Sequence, residues 1–177
     1  KGWASLSNTP FREYKHYAHQ GGVQSPLIAH WPKGISSKLN SSILEQPSYL
    51  PDLVETCLDI GTASRPELKN GKSVPKGEGV SLVKTLKGSS DRIHEKAFFI
   101  EHEGNRIARD GNWKLVSYYD NSWELYDLDE DRSESNDLAE RRPEIVKRMD
   151  QAYSKWAKRS GVVDWNIAKD YNVYDAI

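Results

Sequence analysis

The alternation of apolar and polar residues is clearest between residues 96 and 128, where it predicts four consecutive strands. The Asp110-Gly111 pair is typical of a tight hairpin turn, and the Asp120-Asn121 pair marks another turn. Because these connections are short, each strand is expected to pair with the next one in an antiparallel meander. The four strands are predicted at Lys96–Glu101, Arg106–Arg109, Trp113–Tyr119 and Trp123–Leu128.

One long amphipathic helix is predicted after this meander. Pro143 opens the helix and Gly161 follows its last turn, which is the usual placement of these residues at helix ends. Packing the apolar stripe of the helix on the apolar face of the meander gives a compact α+β unit. The aromatic residues of both elements are therefore assigned to a core rather than to a sugar-binding surface. The stripe consists of Ile145, Val146, Met149, Tyr153 and Trp156.

The first half of the chain has weaker patterns. Pro26–Trp31 is a short apolar run that predicts a strand buried on both faces. Leu50–Ile60 has apolar residues at helical spacing and predicts a helix. Val80–Leu86 predicts one or two helical turns, and the segments between these elements are polar connections.

Composition narrows the classes of function. The chain has 25 basic and 26 acidic residues, and this balance argues against a nucleic-acid partner. No apolar run approaches the ~20 residues that span a bilayer, so no membrane partner is predicted. Cys57 is the only cysteine, which excludes an intrachain disulfide. The opening residues KGWASLSNTP show neither an initiator Met nor a signal-peptide pattern, so the chain is expected to begin inside a longer protein.

The stretch YKHYAHQGGVQSPLIAHWPKG places Lys15 before a Gly21-Gly22 pair and an apolar run. The two glycines are predicted to permit a sharp turn with unusual backbone dihedrals. Such a turn would let the lysine loop lie over a site while Pro26–Trp31 anchors it in a sheet. The alternative is that Lys15 is an ordinary exposed cation.

Histidines supply the other candidate chemistry. His102 lies at the predicted strand-to-turn junction, ahead of Arg106, and the two side chains are predicted to bind the alcohol or sugar part of a substrate. A turn histidine paired with Glu101 or Glu103 is the alternative. His19 is expected to line a pocket beside Lys15.

No metal site is predicted from the sequence. His16 and His19 are three residues apart, but no further ligand cluster accompanies them. The acidic run 127–137 contains Asp127, Asp129 and Asp131 in a D-x-D-x-D pattern. It lacks the glycine and the distal glutamate of a calcium-binding EF-hand loop, so it is predicted to be a solvated loop.

Four stretches, in the same order along the chain, resemble the sulfatase family. TPFREYKHYAHQGGVQSPLIAHWPKGI resembles the segment in which a lysine precedes a Gly-Gly turn and a strand, and PDLVETCLDIGTASRPE is similar to the helix that follows. EHEGNRIARDGNWKLV and WELYDLDEDRSESNDLAERRPEIVKRM resemble the C-terminal strands and helix. The resemblance covers Thr9 to about Val162 and is nearest to arylsulfatase-type enzymes of the alkaline-phosphatase-like superfamily.

The resemblance implies an α+β fold in which the four-stranded antiparallel meander packs on the long C-terminal helix, after the last strand and helix of a truncated α/β sulfatase domain. Residues 1–61 would be the remnant of the catalytic domain, residues 62–95 a connecting region and residues 96–177 a C-terminal subdomain. By position, Lys15 matches the family lysine that contacts the sulfate ester. A fixed ammonium stabilises the negative charge that develops on the ester oxygens during cleavage.

The resemblance also implies parts that these residues lack. Sulfatases use a formylglycine made in a C/S-x-P-x-R motif and a calcium ion held by Asp and Asn, and neither motif occurs here, since Cys57 is followed by Leu-Asp-Ile. No cofactor is therefore expected in this chain, which is predicted to be inactive alone, whereas calcium and formylglycine are expected in the intact enzyme. The intact enzyme is expected to be periplasmic or extracellular and to act on a sulfated small molecule or glycan. Dimerisation through the exposed remnant strand is a further expectation.

Two other functions stay open at this point. One is a noncatalytic carbohydrate-binding or interaction module that uses exposed aromatic residues. The other keeps the superfamily but changes the ester to a phosphodiester or a phosphonate monoester. Binding of sulfated and unsulfated glycans separates the first alternative from a sulfatase, and the residues that precede Lys1 decide the second.

Overall fold

The computed structural model describes residues 2–170, in two units that are taken separately below. Its helices are α1 (Gly2–Ser7), α2 (Gln20–Val23), α3 (Leu50–Ile60), α4 (Val83–Leu86), α5 (Pro143–Ser160) and α6 (Trp165–Ala168), with one 3₁₀ turn at Ser37–Leu39. Its strands are β1 (Leu68–Lys69), β2 (Lys72–Ser73), β3 (Phe98–His102), β4 (Asn105–Asp110), β5 (Trp113–Ser117) and β6 (Glu124–Asp127).

Strands β3 to β6 form the predicted antiparallel meander, in the order β3-β4-β5-β6. Ile100 pairs with Ile107, and Ile107 pairs with Val116, so these side chains share one face of the sheet. Ala108 pairs with Leu115 and points to the opposite face, because side chains alternate along a strand. The fold class is confirmed, and each strand lies within two residues of its predicted ends.

Helix α5 covers one face of this sheet, called here the helix face. It spans the residues predicted from the sequence and ends at Gly161, whose φ of 71° is the left-handed conformation usual after a helix. Phe99 stacks on Trp156 with ring centroids 5.6 Å apart, which extends the packing to the edge of the sheet. The buried core of the helix face consists of Ala108, Leu115, Leu125, Met149 and Tyr153.

The opposite face carries a second, smaller core. Ala18 of the N-terminal segment packs there against Ile107 and Val116. Residues 2–26 therefore belong to the same compact unit as residues 96–170, although some 70 residues separate them along the chain. We call residues 8–24 the lysine segment and the surface of the sheet that it covers the segment face.

Residues 27–95 form the other compact unit. Asp52, at the start of α3, is fully buried and accepts hydrogen bonds from the backbone N–H groups of Tyr49 (2.9 Å) and Val80 (2.8 Å). Its carboxylate also lies 2.9 Å from Nε2 of His94. One buried carboxylate thus ties the start of the helix to the end of the unit.

The prediction of a buried strand at Pro26–Trp31 is wrong. The segment has no strand pairing, and Leu27 and Ile28 are 56% and 91% exposed. A strand buried on both faces needs flanking strands for its backbone hydrogen bonds, and residues 2–170 provide none beside this run. Because these apolar side chains are exposed, the expected dimerisation through this part of the chain stays a prediction.

The division of the chain by function at residues 61 and 95 also stays a prediction. By contacts, residues 62–95 pack with residues 27–61 rather than serving as a separate connection, and the predicted boundary at residue 95 is also a boundary between the two units. No helix within residues 2–170 is both long and apolar enough to cross a membrane.

Candidate functional site

The lysine segment is fixed first by its own backbone. A Cβ atom added at Gly21 would lie 2.3 Å from the carbonyl oxygen of Arg12, and one added at Gly22 would lie 2.1 Å from that of Tyr17. Neither glycine has a positive φ, so the prediction of unusual dihedrals is wrong. The glycines are instead required because α2 packs directly against the preceding backbone, where any side chain would collide.

A buried ion pair then holds this segment against the sheet. Nζ of Lys114 lies 2.6 Å from Oε1 of Glu134, and both side chains are at most 2% exposed. The other oxygen of Glu134 accepts the backbone N–H of Gln20 (2.7 Å), while Oε1 of Gln20 accepts from Lys114 (3.0 Å). The start of α2 is thereby bonded to both members of the pair. Burial lowers the pKa of Lys114 to about 8, against the opposing effect of Glu134.

Arg12 makes the second set of contacts. Its Nη1 donates to the hydroxyl of Tyr126 and to the backbone oxygen of Glu134, both at 2.8 Å, and lies 3.4 Å from Glu124. The hydroxyl of Tyr126 in turn donates to Glu124 (2.5 Å). Burial alone would raise the pKa of Glu124, but hydrogen bonds from His19 and Tyr126 lower it to about 2. The carboxylate therefore stays charged at the centre of this network.

His19 also belongs to this network. Its side chain is fully buried, Nε2 lies 3.0 Å from Oε2 of Glu124, and the ring lies 4.5 Å from that of Tyr118. Nδ1 is buried and has no hydrogen-bond partner. Its ring thus faces the sheet, and the expectation that His19 lines a substrate pocket beside Lys15 stays a prediction.

Lys15 itself is exposed, and no residue among the described ones forms an ion pair with it. It lies between the anchored Arg12 and the buried Ala18, so its backbone is held while its ammonium group stays free. This arrangement fits a cation that meets a charged ligand and equally an ordinary surface lysine.

The edge of the sheet beside Lys15 carries a cluster that the sequence did not predict. His16 Nδ1 lies 2.9 Å from Oε2 of Glu103, and His102 Nε2 lies 3.9 Å from the other oxygen of that carboxylate. The two imidazole rings are stacked, with centroids 5.8 Å apart. His16 is therefore a neighbour of His102, rather than a partner of His19.

Arg106 does not join His102. The two residues lie on opposite faces of the sheet, because His102 pairs with Asn105 and Arg106 is the next residue on that strand. Arg106 donates to Ser117 (2.9 Å) and to the backbone oxygen of Asn121 (3.0 Å), and its guanidinium lies 4.3 Å from the centre of the Trp123 ring. The two side chains cannot bind one substrate group together.

Lys114, Glu124 and Glu134 were not predicted from the sequence. One signal for Lys114 was available: in the strand WKLVS it occupies the face of Val116, which is apolar, so a lysine there needs a buried partner. Glu134 lies in the acidic run that was predicted to be solvated. No local pattern marks a single buried carboxylate in such a run.

The one group of three possible metal ligands within residues 2–170 is His16, His102 and Glu103. Its nitrogen-rich donor set does not fit calcium, which takes oxygen ligands. This group is therefore not a candidate for calcium.

Comparison with known structures identifies the fold. The structure is similar to Ps i-CgsB, with a TM-score of 0.71 and 20% identity over 97% of this chain and 40% of that protein. It is also similar to a Bacteroides thetaiotaomicron protein from work on the metabolism of multiple glycosaminoglycans, with a TM-score of 0.64 and 20% identity over 84% of this chain and 32% of that protein. At this level of identity the likeness concerns the fold.

Comparison of sequences identifies the family. Residues 13–159 match the model of the N-sulphoglucosamine sulphohydrolase C-terminal family, and the chain belongs to that family of sulfatase C-terminal domains. An uncharacterized sulfatase of Schizosaccharomyces pombe is 26% identical over 168 residues, which are 91% of this chain and 30% of that protein. The chain thus spans about a third of the length of the relatives it matches. The family match covers the lysine segment from residue 13 onward and the whole meander.

Proposed function

We propose that this chain is the C-terminal part of an enzyme that hydrolyses sulfate esters, and that Lys15 binds the sulfate group. Membership of a sulfatase C-terminal family supports the class. The observation that carries the role of Lys15 is its position: an exposed ammonium on a segment that a buried ion pair and Arg12 hold against the sheet. A positioned cation of this kind stabilises charge that develops on ester oxygens.

The chemistry assigned to the longer protein needs groups beyond these residues. A formylglycine nucleophile and a calcium ion would supply the covalent and Lewis-acid parts of the reaction, and this chain would supply the lysine and part of the substrate pocket. Arylsulfatase-type specificity and a periplasmic or extracellular location are included in the proposal. If a C/S-x-P-x-R sequence is found upstream of residue 1, it will favour a sulfatase over a phosphodiester or phosphonate hydrolase.

A sulfated glycan is the substrate class that we favour. Ps i-CgsB, which shares this fold, has been solved in complex with k-i-k-neocarrahexaose. The side chain of His102 is 60% exposed at the edge of the sheet, next to the partly exposed side chain of Glu103. It can therefore contact a sugar hydroxyl. Arg106 is not included, because it lies on the other face of the sheet.

The test is the substitution Lys15→Ala in the longer protein. We expect kcat/KM for an aryl sulfate and for a sulfated oligosaccharide to fall by about 10²–10³, since one preorganised donor is lost. The melting temperature should not change, because Lys15 is exposed. Lys15→Arg should restore little, because a guanidinium is planar and larger.

Lys33→Ala is the matched control, as another exposed lysine of this chain. It should leave kcat/KM unchanged. Near-normal activity of Lys15→Ala would contradict the assignment and return Lys15 to an ordinary surface cation. The 177-residue chain alone should show no sulfate-ester turnover, and turnover that a chelator abolishes would contradict that part.

A cavity on the helix face favours a second candidate, a carbohydrate-binding role. It measures about 490 Å³ and lies between the β5–β6 turn and the end of α5, with Tyr119, Asp164 and Trp165 among its lining residues. Aromatic rings beside carboxylates suit a sugar. If unsulfated glycans bind to the isolated chain, and if Trp165→Ala abolishes that binding, this role is supported.

A further inference from the structure

We propose that His16, His102 and Glu103 form a binding site for a transition-metal ion of the Zn²⁺ class. One ligand atom from each of the three side chains lies within 4.8 Å of the others. The site lies where the lysine segment meets the β3–β4 turn, so it exists only when the segment is docked. It is separate from the calcium chemistry proposed for the longer protein and does not depend on that proposal.

The donor set indicates the kind of metal. Two imidazole nitrogens and one carboxylate oxygen are the ligands that Zn²⁺ takes in catalytic sites, where three protein groups leave a position for water or substrate. Imidazole also suits Cu²⁺ and Ni²⁺, whereas Mg²⁺ and Ca²⁺ prefer oxygen ligands. A site with two histidines should therefore discriminate strongly against Ca²⁺.

The backbone of both histidines is held by one buried side chain. Nδ2 of Asn105 donates to the carbonyl oxygen of His16 (2.9 Å) and to that of His102 (3.1 Å). Oδ1 of Asn105 accepts from the backbone N–H of Tyr119 (3.3 Å), and the residue is only 8% exposed. Two histidines from distant parts of the sequence are thus fixed by the same amide, which is the kind of support that orients metal ligands.

Two of the three residues also have strained backbones. His16 has a φ of 83° and Glu103 a φ of 52°, values that residues other than glycine seldom adopt. Such conformations cost roughly 1–3 kcal/mol each and persist where the surroundings determine them, often at functional sites. Glu103 and Gly104 (φ 78°) are the two central residues of the β3–β4 hairpin, where a tight turn requires positive φ. The strain that bears on the site is therefore that of His16.

The three candidate ligand groups already lie near one another. His16 already contacts one oxygen of Glu103 at 2.9 Å, while the other oxygen lies 3.9 Å from His102. Zn²⁺ ligands lie about 2.0–2.2 Å from the ion. A bound ion would therefore replace the direct contact between His16 and Glu103, and a rotation of the exposed His102 ring would bring the third ligand to it.

In the first experiment the chain is titrated with Zn²⁺ alone, and binding is measured by calorimetry. The ligands of the bound ion are then identified by zinc X-ray absorption. We expect one ion per chain with two imidazole ligands, and a higher melting temperature with Zn²⁺, because an ion that binds only the folded state stabilises it. An excess of Ca²⁺ should not displace the ion. Absence of binding, or a spectrum without two imidazoles, would overturn the proposal.

The second experiment uses matched variants. His16→Asn keeps a residue type that tolerates a positive φ, and His102→Gln keeps a polar side chain at an exposed position; each should weaken Zn²⁺ binding at least tenfold. His30→Gln removes another exposed histidine and should leave the affinity unchanged. Equal losses in all three variants would show adventitious binding and contradict the site. The melting temperatures without Zn²⁺ establish that each variant is folded.

Discussion

The two faces of the four-stranded sheet are buried by different means. On the helix face, apolar residues such as Leu115 and Met149 pack against one another. On the segment face, a lysine and a glutamate are as deeply buried as any of those side chains. Apolar burial is tolerant of small shifts, but a buried charge is stable only beside its partner. The segment face therefore fixes position, and the helix face supplies most of the apolar core.

The largest effect should come from leaving one member of the buried ion pair alone. Lys114→Met should lower the free energy of unfolding by about 3–5 kcal/mol, because Glu134 is left as an uncompensated buried charge. Urea denaturation measures this loss. The double variant Lys114→Met with Glu134→Gln should recover much of it, since both charges are then absent. If the double variant is no more stable than the single one, the pair is not the source of the effect.

A smaller loss is expected on the helix face. Met149 is only 1% exposed. Met149→Ala should lower the free energy of unfolding by about 2–4 kcal/mol, because apolar contacts are lost and a cavity is left. Met149→Leu nearly conserves volume and should lose less than about 1.5 kcal/mol in the same urea experiment. Equal effects of the two substitutions would mean that α5 does not pack on the sheet as described.

The smallest effect concerns pH. The pKa of Glu124 is about 2 in the folded chain against 4.5 when free, so the folded state holds the charged form more strongly. This contribution is fully present above pH 4.5 and is lost as the pH falls from 4.5 toward 2. It amounts to about 2 kcal/mol after a discount for solvent around the partly exposed side chain.

Unfolding of the wild type and of Glu124→Gln, compared across that pH range, measures this contribution. The difference between the two curves should disappear near pH 2. A constant difference at all pH values would show that the charge of Glu124 is not what stabilises the segment face.

The same contrast explains what the sequence could predict. The meander was predictable because apolar residues recur at strand spacing between short turns, and α5 because Ile145, Met149 and Tyr153 recur at helix spacing. The prediction of a buried strand at Pro26–Trp31 was wrong, because an apolar run forms a buried strand only when neighbouring strands are present to pair with it. Periodicity is a local signal, and it describes elements better than their surroundings.

The candidate site was predictable only in part. The Gly-Gly pair marked the lysine segment, although the glycines serve close packing rather than an unusual turn. The pairing of Lys114 with Glu134, and of His16 with Glu103, joins residues that lie 20 and 87 positions apart. Contacts between residues so far apart in the sequence form only in the assembled sheet, so no local sequence pattern predicts them.

Amide hydrogen exchange tests the central claim most directly, namely that buried polar contacts on the segment face hold the lysine segment in place. In Glu134→Gln, the charge-assisted bond to the backbone N–H of Gln20 is weakened. Exchange at residues 20–24 should accelerate at least tenfold relative to β4 and β5, while Met149→Ala should not produce this selective change. Unchanged protection at residues 20–24, or an equal loss of protection throughout the sheet, would contradict the claim.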